Sequence, residues 1–288
     1  MSVGMTGAAW VAGVVGSPIN HSLSPVIHNA WIEEALLDAA YVPFNPPPPA
    51  FRGFIQGLRG GAIRGLNVTI PFKEEALALA DEASDLARRA GAANLLLFRD
   101  DGAIIADNTD GTGLLAALHV QAEYRADAGP VVILGAGGAA RGAAAALLEA
   151  GAPAVRVINR TRERALVLAR QLGPLVTGFG REDAHVALRD AACIINATSL
   201  GLGGGPGPDI DLGLAPHAAV VMDMVYKPLE TGLIHRALER GMRTVDGLEM
   251  LIRQAVPSFE AFYGRRPPAT INVRALCLET LAAQERNA

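Results

Sequence analysis

Short apolar runs alternate along this chain with longer stretches in which apolar residues recur every three or four positions. The runs predict buried strands and the longer stretches predict the helices that cover them. WVAGVVG (10–16) reads as the first strand. SPVIHNAWIEEALLDA (24–39) reads as a helix, with Ser24 as a candidate N-cap and Pro25 in the first turn. YVPFNPPPP (41–49) begins extended and ends in a proline run that no helix accepts. There follow a short helix at AFRGFIQGLR, a strand at IRGLNVTIP, an interrupted helix over KEEALALADEASDLARRAG and a hairpin turning at Asp101-Gly102.

The pattern changes after residue 110. Residues 129–173 read as strand, glycine turn, helix, strand, helix. Further strands are expected at ACIINATS (192–199), AVVMDMVY (219–226) and RTVDG (243–247), with a helix at TGLIHRALERG between the last two. This alternation predicts a parallel sheet covered by helices. The tail from LEML (248–251) onward is mostly helical, and GLGGGPGPDIDLG (201–213) is a flexible loop.

Composition narrows the class. Half of the 288 residues are hydrophobic, and aromatics make up only 5%. Ala, Val, Leu and Gly dominate, which suits helices packed closely on a sheet. The net charge is −4 and there is no basic block, so nucleic acid is not an expected partner. No run approaches a membrane span, and no basic segment followed by an apolar one suggests a signal peptide. Cys193 and Cys277 lie far apart in apolar surroundings and are expected to be buried thiols in a reducing compartment. A cytoplasmic protein without a metal is the expectation.

Candidate chemistry begins with GAGGAARG. Gly135, Gly137 and Ala140 form a G-x-G-x-x-A pattern between a strand and a helix. Gly135 permits the tight turn, Gly137 lets the backbone approach a pyrophosphate, and Ala140 permits close helix–strand packing. The helix N-terminus offers free N–H groups to the phosphate. No carboxylate ends the next strand, where an NAD site would carry one. Instead NRTRERA supplies Arg160 and Arg164, suited to a 2′-phosphate, and Thr161 as a helix cap. NADP(H) is therefore the expected cofactor; surface arginines paired with Glu163 are the alternative.

A second constellation lies in the first third. Ser22 and Ser24 are two apart, as are Asn67 and Thr69, so each pair points one way in an extended segment. Asn94 interrupts an apolar run, and Asp110 sits at the junction with the glycine-motif region, where it is either a helix cap or a site carboxylate. Lys73 is one of only two lysines among 25 basic residues. Lysine releases a proton far more readily than arginine, so a lysine at a site is suited to moving one. A solvated surface charge is the plainer alternative.

Together the segments GSPINHSLSPVIHN, NVTIPFK, GAAN, DNTDG, GAGGAAR, NRT, NATSLG, DMVYKP and GLEMLIRQA resemble the shikimate dehydrogenase family almost end to end. The resemblance implies an α/β fold of two domains. Residues 1–109 would form an α/β substrate domain, joined by C-terminal helices from 248–288. Residues 110–247 would form a Rossmann-type doubly wound parallel sheet. It implies reversible NADPH-dependent reduction of 3-dehydroshikimate to shikimate by a monomer or homodimer. Ser22 and Ser24 would hold the substrate carboxylate, and Asn67, Thr69, Asn94 and Gln254 the ring hydroxyls. Lys73 and Asp110 would be the catalytic pair. Gly135, Ala136, Gly137, Gly138 and Ala139 would cradle the pyrophosphate. Asn159, Arg160, Thr161 and Arg164 would hold the adenosine phosphate end. Met224, Tyr226 and Gly247 would border the nicotinamide or substrate.

The chain departs from the family pattern at two positions. Leu95 stands where threonine is common, and Lys227 where asparagine is common. Leu95 keeps quinate or a modified shikimate open as substrate. A non-catalytic metabolite sensor on the same fold is a further alternative, though a sensor has no need of Lys73 with Asp110.

Overall fold

The computed structural model describes residues 5–60 and 63–286. The chain divides into two compact units, Met1–Thr109 with Gln254–Ala288, and Asp110–Arg253.

In the first unit the elements run β1 (Trp10–Val15), α1 (Ser24–Glu34), β2 (Ala39–Phe44), α2 (Phe51–Gln56), β3 (Ile63–Val68), α3 (Lys73–Leu79), β4 (Glu82–Ala83), α4 (Asp85–Ala90), β5 (Leu95–Phe98) and β6 (Ile104–Asp107). The strands form one mixed sheet in the order β2-β1-β3-β5-β6-β4. β1 pairs in parallel with β2 and β3, while β5 runs antiparallel to both β3 and β6. Val15, Leu66, Leu96, Ile104 and Phe51 are part of its buried core.

The structure differs from expectation at both ends of α1. α1 ends at Glu34 rather than continuing to 39, because Leu36 adopts φ 53°, a left-handed conformation that no helix continues through. Ser24 is not the N-cap. Leu23 occupies that position without a side-chain bond, and Ser24 is the first helical residue. It is Ser22 whose Oγ accepts a backbone bond, from Ser24 N–H at 3.3 Å. The Ser24 hydroxyl is thus not committed to capping.

The second unit runs α5 (Asp110–Ala122), β7 (Val131–Leu134), α6 (Gly138–Glu149), β8 (Val155–Ile158), α7 (Arg162–Leu172), β9 (Val176–Phe179), α8 (Ala184–Leu188), β10 (Cys193–Asn196), β11 (Val220–Asp223), α9 (Gly232–Glu239), β12 (Arg243–Val245) and α10 (Gly247–Tyr263). The division between units falls inside α10, and α11 (Val273–Arg286) belongs to the first unit. The sheet is wholly parallel, in the order β12-β11-β10-β7-β8-β9. Counted within the unit this is 6-5-4-1-2-3, the doubly wound dinucleotide-binding order.

The continuous apolar runs have a direct cause. Val131 and Ile133 of β7 belong to one buried cluster, and Val132 and Leu134 to another. Cys193 and Ile195 of β10 likewise face one cluster and Ile194 the other. Side chains alternate across a strand, so a sheet covered on both faces needs apolar residues at every position. Each such side chain contributes about 1.5–3 kcal/mol of burial.

Candidate active site

The first unit gathers a buried polar network at the ends of β3 and β5. Asn67, the fifth residue of β3, is buried. Its Oδ1 accepts from the Tyr41 hydroxyl at 2.7 Å, and its Nδ2 donates to Ser258 Oγ at 2.8 Å and to the Asn94 carbonyl at 3.3 Å. Asn94 is also buried. Its Nδ2 donates to Thr109 Oγ1 at 3.0 Å and to Gln254 Oε1 at 3.2 Å, while its Oδ1 accepts from Thr109 N–H at 2.7 Å. Thr109 Oγ1 in turn donates to Gln254 Oε1 at 3.2 Å. Asn67, Asn94 and Gln254, scattered over the sequence, therefore belong to one connected cluster. Linked buried polar groups of this kind are rigid, because leaving any one unpaired is costly.

Backbone pairing brings the neighbouring segments alongside. Lys73 opens α3, and its carbonyl accepts from Ala93 N–H at 2.8 Å, next to Asn94. Thr69 N–H donates to the Val15 carbonyl at 2.9 Å and Ser17 N–H to the Ile70 carbonyl at 3.1 Å, tying the end of β1 to the Thr69–Ile70 segment. Lys73 and Thr69 are each half-buried. Leu95 lies directly opposite Asn67 in the antiparallel pair, so its buried side chain shares that face. In the second unit Asp110 is half-buried and opens α5.

The glycine turn of the second unit joins β7 to the N-terminus of α6. Gly135 adopts φ 110°, and a Cβ there would sit 2.9 Å from Thr198 Cγ2 in the loop after β10. The turn thus needs glycine for both conformation and space. Ala136 is half-buried, Gly137, Gly138 and Ala139 are exposed, and Ala140 is fully buried against the sheet. A Cβ at Gly137 or Gly138 would meet nothing within 4 Å, so the turn offers an open backbone surface ahead of a twelve-residue helix. It lies where β7 and β10 part company, the switch point at which doubly wound sheets bind ligands. A pyrophosphate fits this surface and the free N–H groups behind it.

At the end of β8, Asn159 Nδ2 donates to the Thr161 carbonyl at 2.8 Å and shapes the turn. Thr161 is the N-cap of α7, but its hydroxyl accepts no capping bond. Arg160 and Arg164 are exposed, and among the described residues neither forms an ion pair. Arg162 is the arginine that pairs, with Asp183 at 3.1 Å and Glu182 at 3.6 Å. The two arginines are therefore available to an anion, and the Glu163 pairing does not occur among the described residues. Gly247, at the start of α10, packs so closely that a Cβ would overlap the Met224 carbonyl oxygen. Met224 and Tyr226 follow the end of β11 and are half-buried.

Sequence reasoning missed several supporting residues. Tyr41, Thr109 and Ser258 complete the first network. In the second unit, Asp223 is fully buried and accepts from Asn196 Nδ2 at 2.8 Å, Val225 N–H at 2.9 Å and the Thr231 hydroxyl at 2.7 Å. Burial raises its pKa above the usual carboxylate value, against the pull of those three bonds. This carboxylate braces the ends of β10 and β11 just before Met224. A carboxylate closing the apolar run AVVMD was the available signal.

Among the described residues no helix is long and apolar enough to cross a membrane, and no cluster of His, Cys, Asp and Glu suits a metal ion. Cys193 and Cys277 are buried free thiols, and burial pushes the Cys277 thiol up to about 11.

Residues 14–96 match the shikimate dehydrogenase substrate binding domain, and residues 118–201 match the shikimate / quinate 5-dehydrogenase family. The chain is 63% identical to the shikimate dehydrogenase (NADP(+)) of Caulobacter vibrioides over 98% of its own length and 99% of that protein. Its fold is similar to that of shikimate 5-dehydrogenase from Thermus thermophilus in complex with NADP(H) and shikimate. That similarity has a TM-score of 0.82 and 35% identity, covering 96% of this chain and 99% of the other. It is also similar to quinate dehydrogenase from Corynebacterium glutamicum in complex with NAD, with a TM-score of 0.84 and 27% identity over 95% and 99% of the two chains. The order of motifs, the doubly wound sheet and these similarities agree, and the chain belongs to the shikimate dehydrogenase family.

Proposed function

We propose that this protein is an NADP-dependent oxidoreductase that reversibly reduces 3-dehydroshikimate to shikimate, a step of aromatic amino-acid biosynthesis. The observation that carries the reading is the pairing of the Asn67–Asn94–Gln254 network with an Arg160 and Arg164 that carry no ion pair among the described residues, at the end of β8. The first suits a small polyhydroxylated ring and the second a 2′-phosphate.

NADPH supplies the hydride that reaches the carbonyl carbon. The Gly135–Ala139 turn and the start of α6 hold the pyrophosphate, with Arg160, Thr161 and Arg164 at the phosphate end and Asn159 shaping their turn. Met224, Tyr226 and Gly247 border the reacting end. Ser22 and Ser24 hold the substrate carboxylate, and Asn67, Thr69, Asn94 and Gln254 orient the ring. Lys73 hydrogen-bonds the ketone oxygen and delivers the proton it gains on becoming a hydroxyl. In the reverse direction the same amine removes that proton. Asp110 orients the ammonium and accepts from a neighbouring hydroxyl. Lysine suits this role because its protonation changes with its surroundings, whereas arginine stays charged.

Every assigned residue lies on one chain, so the chemistry is satisfied by a monomer or a homodimer. A cytoplasmic location is part of this reading, supported by the two buried free thiols, which suit a reducing compartment. A second reading, oxidation of quinate, is kept open by one observation: the side chain beside Asn67 is Leu95, not a hydroxyl-bearing residue. Turnover of shikimate with NADP+ by the purified protein tests the proposal, and its absence would reject it.

A further inference from the structure

Tyr41 stands behind Asn67, one of the residues assigned to the substrate, yet its sequence context, an extended run ahead of prolines, does not mark it. It lies on β2, the edge strand of the first sheet, and is 1% exposed. Its hydroxyl donates to Asn67 Oδ1 at 2.7 Å. The backbone is clamped as well. Tyr41 N–H donates to Asn29 Oδ1 at 3.0 Å, and Asn29 Nδ2 donates to the Tyr41 carbonyl at 2.9 Å. Below the phenol, the His28 ring stacks at a centroid distance of 4.0 Å. Burial pushes the phenol's pKa well above its ordinary value, so the hydroxyl keeps its proton and remains a donor.

The consequence falls on Asn67. A carboxamide has an acceptor end and a donor end, and its partners decide which one remains for a ligand. Tyr41 donates to Oδ1, while the two Nδ2 hydrogens go to Ser258 Oγ and the Asn94 carbonyl. The capacity left over is the second lone pair of Oδ1. We infer that Tyr41 is a positioning residue: it locks Asn67 with its carbonyl oxygen presented as an acceptor for a substrate hydroxyl. This inference rests on the substrate assignment proposed above.

Tyr41→Phe keeps the ring and the stack and deletes only the hydroxyl. The wild-type enzyme is assayed first with shikimate and NADP+. Absence of turnover there overturns the substrate assignment and this inference together. With turnover established, Tyr41→Phe raises the KM for shikimate roughly fivefold to tenfold, the equivalent of one neutral hydrogen bond. The change in kcat is smaller, and the KM for NADP+ does not move. The rise disappears in an Asn67→Ala background, because Tyr41 acts through Asn67. An unchanged KM for shikimate, or an equal rise in both backgrounds, overturns the role of Tyr41 alone. If Tyr41→Phe fails to fold, Ser258→Ala removes the other anchor of Asn67 and carries the same expectation. There too an unchanged KM for shikimate overturns the inference.

Discussion

The imidazole of His28 lies flat against the phenol of Tyr41, with ring centroids 4.0 Å apart and 4° between the planes. Trp31, Phe259 and Phe262 complete an aromatic box around it. Neither ring nitrogen has a hydrogen-bond partner among the described residues. Burial lowers the pKa of His28 from 6.5 to about 3, so the folded protein holds it neutral.

That burial has a consequence for acid stability. Between pH 6.5 and about 3 the unfolded chain takes up a proton at His28 that the folded chain refuses. Stability therefore falls as pH drops through this window, by up to about 5 kcal/mol from this group. Urea unfolding at several pH values should show His28→Phe losing less stability than wild type between neutral and acid pH. Parallel curves for the two proteins would contradict the neutral, unpartnered imidazole.

Lys73 is tested by its proton. Lys73→Ala should lower kcat at least ~100-fold, the low end for lost acid–base catalysis, with KM changing less. Lys73→Arg should not restore the rate, since arginine keeps the charge but does not give up the proton. A near-normal kcat in either variant argues against the assigned role.

Arg160 is tested by comparing cofactors. Arg160→Ala should weaken NADPH binding roughly tenfold to a hundredfold, the range for a lost charge-assisted hydrogen bond. NADH binding should change little, and titration of both cofactors by fluorescence measures the difference. Equal losses would mean that the arginine does not hold a 2′-phosphate.

Gly247→Ala places a methyl group on the Met224 carbonyl oxygen, which is backbone and yields only by moving the end of β11. The variant should lose about 1–3 kcal/mol of stability, as overpacking does. Full wild-type stability in thermal unfolding would show that this contact relaxes freely.

Much of the second unit was legible because its chemistry is local. The run VVIL, the turn at Gly135 and the small residues of α6 are consecutive, and each states its own environment. β9 was not visible for the same reason. Its sequence VTGF is short, and Gly178 interrupts the strand pattern because a Cβ there would sit 2.6 Å from the α7 backbone. The end of α1 was missed because a left-handed Leu36 carries no glycine or asparagine signal. In the first unit single residues of the site were legible as polar interruptions of apolar runs. Their partners were not: Tyr41 and Asn67 are 26 residues apart, and Asn94 and Gln254 are 160 apart. Only the folded sheet, with α10 laid beside it, brings such pairs within hydrogen-bonding distance.

One chain carrying both a shikimate site and an NADP site has a definite kinetic signature. Initial rates with shikimate and with quinate, each with NADP+ and with NAD+, are the decisive measurement. The highest kcat/KM is expected for shikimate with NADP+, with a clear loss when either partner is exchanged. Preference for quinate with NAD+, or no turnover with any pair, would contradict it.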